Sequence, residues 1–335
     1  MGCPQGSVLG PLVWNFIVDR LLLRDMPADC NLRAYADDVA IDIHGRSRAD
    51  LEAKAQGVMD ILHDWLTENG LTLSVGKCQY MVFHGSLDRP LTVKYRGANL
   101  QCVHEVRYLG VLWDDKLSFV KHIQEVCQAA KALYFGLRQV IRHNWGSPPD
   151  CMLKIYRGAI LPKVLYAIGI WGDRLGHSHI RRKLRALQRL CLLGVTAAGH
   201  CVSHSALQVL AGEPPIEMVA SEWYVRDNRR RNIPERTTHL GTRIPADVDR
   251  SEIPDRLRSL TLDLWQHQWD TETTGRVTYP FIPSIRARLE VRLRHEKHLT
   301  AVLTGHGSFR SHNPLRYTYG DPDDPTGDFS CPSTS

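Results

Sequence analysis

Apolar positions recur at helical spacing near the start of the chain: Leu9, Leu12, Val13, Phe16, Ile17 and Leu21. The spacing predicts a buried or half-buried helix from Gly6 to about Met26. The pattern then shortens. Leu32-Arg33-Ala34-Tyr35-Ala36-Asp37-Asp38-Val39-Ala40-Ile41 reads as strand, tight turn, strand. Ser47-Arg48-Ala49-Asp50 has the form of a capping box. The helix it opens carries an apolar stripe of Leu51, Ala55, Val58, Met59, Leu62, Trp65 and Leu66, and Gly70 is a suitable stop. Short strands are expected at Leu71–Leu73, Gln79–Phe83, Leu91–Tyr95 and Arg107–Trp113. Helix, hairpin, helix and antiparallel strands predict an α+β layer rather than an alternating parallel sheet.

Beyond Asp115 the periodicity becomes helical. One helix is expected from His122 to Ile141, with Ile123, Val126, Ala130, Leu133, Leu137 and Val140 on its apolar side. Pro148-Pro149 ends it. A second helix, Asp150–Ile168, contains Pro162 and should bend or split there. A third covers Ser178–Leu193. Two more fill Ser203–Arg231, broken at Pro214-Pro215. Residues 232–254 read as a polar, proline-bearing linker. Helices at Pro254–Trp269 and Pro283–Leu303 follow. From Gly320 the chain is rich in Asp, Pro, Gly and Ser and is expected to be disordered.

Two adjacent carboxylates within an apolar stretch need solvent or a cation. At a hairpin bend both leave from one tip. Hard oxygen ligands on a tight turn suit Mg²⁺. Two-metal phosphoryl or nucleotidyl transfer uses such a pair. An Asp-Asp pair is also an ordinary occupant of a solvated turn, so the neighbouring motifs matter.

Upstream stands Gly2-Cys3-Pro4-Gln5-Gly6-Ser7-Val8-Leu9-Gly10-Pro11. Downstream are Gly76-Lys77 before Tyr80-Met81-Val82-Phe83, then Tyr108-Leu109-Gly110-Val111. This ordered set, spanning residues 1 to about 115, resembles the palm of a reverse transcriptase of the non-long-terminal-repeat retrotransposon class. The later Trp265, Trp269, Gly275-Arg276 and Leu303-Thr304-Gly305-His306-Gly307 also resemble that class. Within it, the likeness is to Pol polyproteins of type-1 elements that insert into ribosomal RNA genes.

The resemblance implies a partial palm at 1–115, a thumb-like all-α region at 116–212, a helical C-terminal region at 213–319 and a tail at 320–335. It implies that Asp37 and Asp38 bind metal, two Mg²⁺ ions in a complete polymerase. Gln5, Gly6 and Tyr35 would lie against template, nucleotide and primer end. Tyr108, Leu109 and Gly110 would form the primer grip, and Lys77 would donate a proton to departing pyrophosphate. Taken alone, Lys77 is a turn lysine, Gly6 with Ser7 a helix cap, and Tyr108-Leu109-Gly110 a core strand with a bulge. The implied partners are an RNA template, a DNA primer and deoxynucleoside triphosphates, with nuclear action inside the cell. Oligomeric state is left open.

In that family a third carboxylate comes from an earlier Phe/Tyr-x-x-Asp strand. Asp19, mid-helix, and Asp42, on another strand, do not obviously replace it. With the chain starting at Met1, the expectation is a fragment without that strand, the fingers or the endonuclease domain. Such a fragment would hold metal weakly and be inactive alone. The alternative is a non-catalytic nucleic-acid-binding remnant.

Composition adds bounds. Hydrophobic residues make up 43% and charged residues 23%, as in folded soluble proteins. A formal charge of +6 is compatible with a polyanionic partner without requiring one. Arg181, Arg182, Lys183, Arg185 and Arg189 share one predicted helix and are candidates for phosphate contact, against the default of a solvated face. Two further clusters are Arg226 with Arg229, Arg230 and Arg231, and Arg286, Arg288, Arg292, Arg294 and Lys297, each expected on one helix. Nine scattered cysteines fit free thiols in a reducing compartment. Cys191, His200, Cys201 and His204 do not match a zinc-finger spacing, and no zinc ligand is assigned. There is no signal peptide and no membrane-length apolar run, so no membrane partner is expected.

Overall fold

The computed structural model describes residues 7–83, 85, 87–145, 149–233 and 251–306. The chain divides into two compact units, Met1–Ser118 and Phe119–Ser335. The expected 320–335 tail and most of the expected linker lie outside the described residues.

In the first unit, helix α1 spans Gly10–Leu22, with Pro11 in its first turn and the Gly10 amide bonded to the Ser7 hydroxyl at 3.2 Å. Its sequence carries two apolar stripes at i, i+3, i+4, i+7. Trp14, Ile17, Val18 and Leu21 face the core. Leu9, Leu12, Val13 and Phe16, which the periodicity placed inside, are exposed by 66%, 66%, 52% and 63%. Spacing identifies a stripe; the neighbours decide which stripe is covered.

Strands β1 (Cys30–Tyr35) and β2 (Asp38–Ile43) pair antiparallel, from Cys30 opposite Ile43 to Tyr35 opposite Asp38. Their inner face, Cys30, Leu32, Ala34, Ile41 and Ile43, packs on the core cluster with α2 (Arg48–Glu68). Ser47 caps α2 by accepting from the Asp50 amide at 3.2 Å, and the Asp50 carboxylate accepts from the Arg46 amide at 2.9 Å. The helix ends as anticipated. Gly70 adopts φ +63°, its amide bonds to the Thr67 carbonyl, and the Leu71 amide reaches back to the Leu66 carbonyl at 2.8 Å. That is the Schellman arrangement.

The remaining strands are shorter than expected. They are β3 (Gln79–Tyr80), β4 (Lys94–Tyr95), β5 (Ala98–Asn99), β6 (Gln101–Cys102), β7 (Glu105–Tyr108) and β8 (Val111–Asp114). Leu71–Leu73 forms no strand. The β3–β6 pair is parallel, so the strands are not uniformly antiparallel. The expected strand Arg107–Trp113 is two strands, because Leu109 (φ +46°) and Gly110 (φ +80°) turn the chain between β7 and β8. Two consecutive positive φ values mark a type I′ hairpin turn.

The second unit is helical: α3 (Val120–Trp145), α4 (Pro149–Ile155), α5 (Leu161–Val164), α6 (Ile168–Trp171), α7 (Ser178–Thr196), α8 (His204–Ala211), α9 (Ile216–Arg230), α10 (Ile253–Thr271), α11 (Ile285–Glu290) and α12 (Lys297–Thr304). The split expected near Pro162 is present. A π-helical turn, Tyr156–Ile160, precedes Pro162, which enters the first turn of α5, where its missing N–H costs little. The helix expected over Pro283–Leu303 is instead two short helices, so Arg292 and Arg294 lie between helices, not on one. No described helix is long and apolar enough to cross a membrane.

Gln188 organises the interior of this unit. Its amide donates to the Tyr156 hydroxyl at 3.0 Å and the Pro214 carbonyl at 2.7 Å; its oxygen accepts from Gln208 and the Ile216 amide. All its polar capacity is thus used at full burial. The tail motifs are structural. Trp265 and Trp269 form a small core with Val209 and Ile285. Arg276 stacks over Tyr279, 3.9 Å from the ring centroid, and faces Trp269. Gly305, at φ +68° and packed on Val277, ends α12.

Candidate functional site

Ala36 and Asp37 are the two loop residues between β1 and β2. Ala36 alone of the two has positive φ (+51°), a left-handed conformation more natural to glycine. An alanine held there signals support from outside the turn. Trp14 supplies it: its indole N–H donates to the Ala36 carbonyl at 2.8 Å. Helix α1 is thereby tied to the tip that carries the aspartates.

Asp37 sits in the loop and Asp38 opens β2; both are exposed. The hairpin lifts them out of the apolar surroundings that the sequence suggested, so water meets their solvation cost. Strand alternation sends Asp38 to the outer face with Tyr35, Arg33 and Asp42. Tyr35 is 66% exposed and directly opposite Asp38. Asp42 lies on β2, and its carboxylate pairs with Arg33 at 3.1 Å. Asp19 is in α1, as expected.

The Tyr108 phenol is raised above its ordinary pKa first by burial, then by the Asp38 carboxylate; Arg33 opposes the shift and Asp42 adds to it. Tyr108 therefore stands within electrostatic reach of the Asp38 side of the hairpin, with Leu109 and Gly110 at the turn beyond it. Lys77 closes a 3₁₀ turn, Val75–Lys77, and is exposed, without an ion pair to either aspartate. Gln5 and Gly6 lie outside the described residues.

Two carboxylates on one tip suit a hard cation as partial ligands. No group of three His, Cys, Asp or Glu side chains placed to hold a metal occurs among the described residues. The nearest further acid on that face, Asp42, is engaged by Arg33. Cys191, weighed and set aside for zinc, is buried in α7 with its thiol pushed up to about 12 by desolvation. The seven described cysteines are all unbridged.

The basic helix α7 separates into two classes. Arg185 pairs with the buried Glu217, its Nε at 2.7 Å. Arg189 donates to the His200 carbonyl at 2.6 Å, and Lys183 to the Gln124 amide oxygen at 3.1 Å. The side chains of Arg181 and Arg182 make no hydrogen bond or ion pair among the described residues. The periodicity could not make this division, since all five residues are cations on one helix. Trp14, Arg33 and Asp42 were not singled out as site residues. The alternative stripe Trp14-Ile17-Val18-Leu21 was the available signal for the first.

Residues 1–112 match the model of the reverse transcriptase (RNA-dependent DNA polymerase) family. Over 313 residues the chain is 36% identical to a putative 115 kDa protein in the type-1 retrotransposable element R1DM of Drosophila melanogaster, covering 92% of this chain and 31% of that protein. It is 28% identical over 326 residues to a retrovirus-related Pol polyprotein from a type-1 retrotransposable element R1 of Nasonia vitripennis, covering 92% of this chain and 94% of that one. An RNA-directed DNA polymerase from the mobile element jockey of Drosophila funebris is 26% identical over 59% of the chain. The chain spans about a third of the length of the Drosophila R1DM protein and of a similar Bradysia coprophila R1 polyprotein, 31% in each case. No solved structure matches it significantly. Residues 1–112 therefore carry a reverse transcriptase domain, and 92% of the chain aligns with proteins of type-1 R1 retrotransposable elements.

Proposed function

We propose that this chain supplies the aspartate hairpin and nucleic-acid-contacting residues of an RNA-directed DNA polymerase, which copies element RNA from a primer 3′-hydroxyl. By family it is a nucleotidyltransferase. The observation that carries the reading is the outer face of the β1–β2 hairpin. It presents exposed Asp37 and Asp38 beside Tyr35, with Tyr108 alongside and Trp14 fixing the tip.

Asp37 and Asp38 would hold Mg²⁺; when bound, the ion supplies Lewis-acid activation of the phosphoryl group and the attacking hydroxyl. Tyr35 packs against the primer end. Tyr108, Leu109 and Gly110 hold the primer in line, a positioning contribution. Lys77 offers a proton and a positive charge to departing pyrophosphate. Gln5 and Gly6 face template and nucleotide. Arg181 and Arg182 are the α7 cations open to duplex phosphates, while Arg185 and Arg189 are committed to the fold. Residues 1–115 then act as the partial palm, 116–212 as the thumb and 213–319 as an accessory helical region.

A second reading, a non-catalytic nucleic-acid-binding role, is favoured by one observation: no third carboxylate joins the pair among the described residues. One assay separates the two, namely Mg²⁺-dependent extension of a DNA primer on an RNA template, run beside duplex binding at low salt. Under the polymerase reading, Asp37→Asn lowers extension by about 1000-fold or more, since metal stabilisation is worth several kcal/mol, while binding persists. Binding without any extension by the unsubstituted chain favours the second reading.

A further inference from the structure

A cavity of about 420 Å³ lies wholly in the second unit, between α4, the end of α8 and the segment from α11 to His295. Lys154, Arg157, Arg288 and Arg292 line it, with Asp150 and Glu290 as the only acids of the lining and His295 beside them. Most of these charges are accounted for. Arg292 pairs with Asp150 at 2.7 Å, and Arg157 donates to Glu213 at 2.6 Å.

Arg288 is not accounted for. It is 8% exposed, yet no carboxylate pairs with it among the described residues. Among the described residues its guanidinium donates to neutral carbonyls alone, those of Leu210 and Val291, the latter at 2.8 Å, and its buried Nε has no partner. A buried cation without a counter-ion is costly. His295, 9% exposed, lines the same cavity with its Nδ1 also unpartnered. Lys154 is exposed and makes no ion pair among the described residues. A buried guanidinium bonded to carbonyls, a buried imidazole and the exposed Lys154 ammonium, whose charge also acts on the Asp150 carboxylate paired with Arg292, line one half-open pocket.

We infer that this cavity is a binding site for a phosphate group, free or carried on a nucleic-acid strand. Guanidinium and ammonium groups are the side chains that recognise phosphate oxygens. The anion would offset the charge of Arg288, which has no carboxylate partner among the described residues. The volume exceeds a bare phosphate and admits the attached sugar. The site does not rest on the polymerase reading, since none of its residues serves the aspartate hairpin.

The test uses the full chain, with thermal unfolding in potassium phosphate against potassium chloride at matched ionic strength and pH 7. Phosphate should raise the midpoint by about 2–4 °C, the linkage expected of a ligand binding only the folded state. Arg288→Gln should abolish the rise. Should that variant not fold, Lys154→Gln, at an exposed position, carries the test and should weaken phosphate binding by about 2- to 5-fold, the worth of one surface charge contact. A midpoint no higher in phosphate than in chloride, or a Lys154→Gln variant that binds phosphate as the parent does, overturns the inference. Competition by a ten-nucleotide RNA without terminal phosphates names the source. Displacement of phosphate identifies a strand phosphodiester and retention identifies the free anion, and either upholds the site.

Discussion

Single residues around the aspartate turn show how much of the site rests on side chains outside the motif. Ala36 holds a left-handed φ between two ordinary strands, and the Trp14 indole bond is what answers it. Trp14→Phe keeps most of the ring's packing and removes the donor. It should cost less than about 1.5 kcal/mol in denaturant unfolding, the usual worth of one hydrogen bond. Amide exchange at Asp37 and Asp38 should accelerate. Unchanged exchange at the turn would remove Trp14 from the role assigned to it. Asp37 and Asp38 were legible from the sequence because two acids in an apolar stretch are rare enough to notice. Trp14 was not, because a tryptophan in an amphipathic helix first suggests core packing.

Elements followed their local signals where those signals were strong. The α2 helix begins at its Ser47 cap and ends at Gly70 as read, since both caps are local hydrogen-bond chemistry. Gly70 adopts φ +63° with open space around it, so Gly70→Ala meets backbone strain alone. It should lower the stability of the first unit by about 1 kcal/mol. Gly305→Ala meets the same φ and also Val277, whose Cγ1 would lie 2.8 Å from the new Cβ. It should cost clearly more, and equal losses in the two variants would contradict this account. Strand boundaries from residue 71 to 113 were read less well. Each of those pairs is two to four residues long, too short to leave a periodic trace, and the β3–β6 pairing joins segments twenty residues apart. Residues 283–303 kept helical composition, but the chain breaks after Glu290, where Arg288 turns inward and bonds the Val291 carbonyl.

At the scale of the whole molecule, charge is distributed between folding and binding. Arg185→Ala leaves the Glu217 carboxylate, 7% exposed, without its cation, and should destabilise the second unit by roughly 1–3 kcal/mol. Arg182→Ala touches no partner and should leave stability unchanged. It should instead weaken duplex binding and reduce its salt slope by about one; a slope identical to that of the parent would exclude Arg182 from phosphate contact. Acid should act through His204, whose pKa is lowered to about 4 by burial and by the charges of Arg189 and Arg185. The unfolded chain takes that proton near pH 6.5, the folded one only near 4. Stability present above pH 6.5 is therefore lost as pH falls from 6.5 toward 4, on the order of 3 kcal/mol for this group. His295, also lowered by burial, acts in the same direction. Comparing the pH dependence of the parent with that of His204→Gln isolates the effect, and parallel profiles would refute it.

By itself the sequence determined the order of motifs, the family to which they belong, the caps of α2, the split around Pro162 and the two aspartates at a turn. These depend on neighbours in the chain, where residue type and spacing act directly. Only the tertiary structure decided which of two equivalent stripes on α1 is covered and which α7 arginines are committed to carboxylates or carbonyls. It also decided that Tyr108 comes within electrostatic reach of Asp38 and that Arg288 is buried with no carboxylate partner among the described residues. Each of these is a relation between residues far apart in sequence. Burial and charge pairing are set by what packs alongside, and a linear pattern does not contain that.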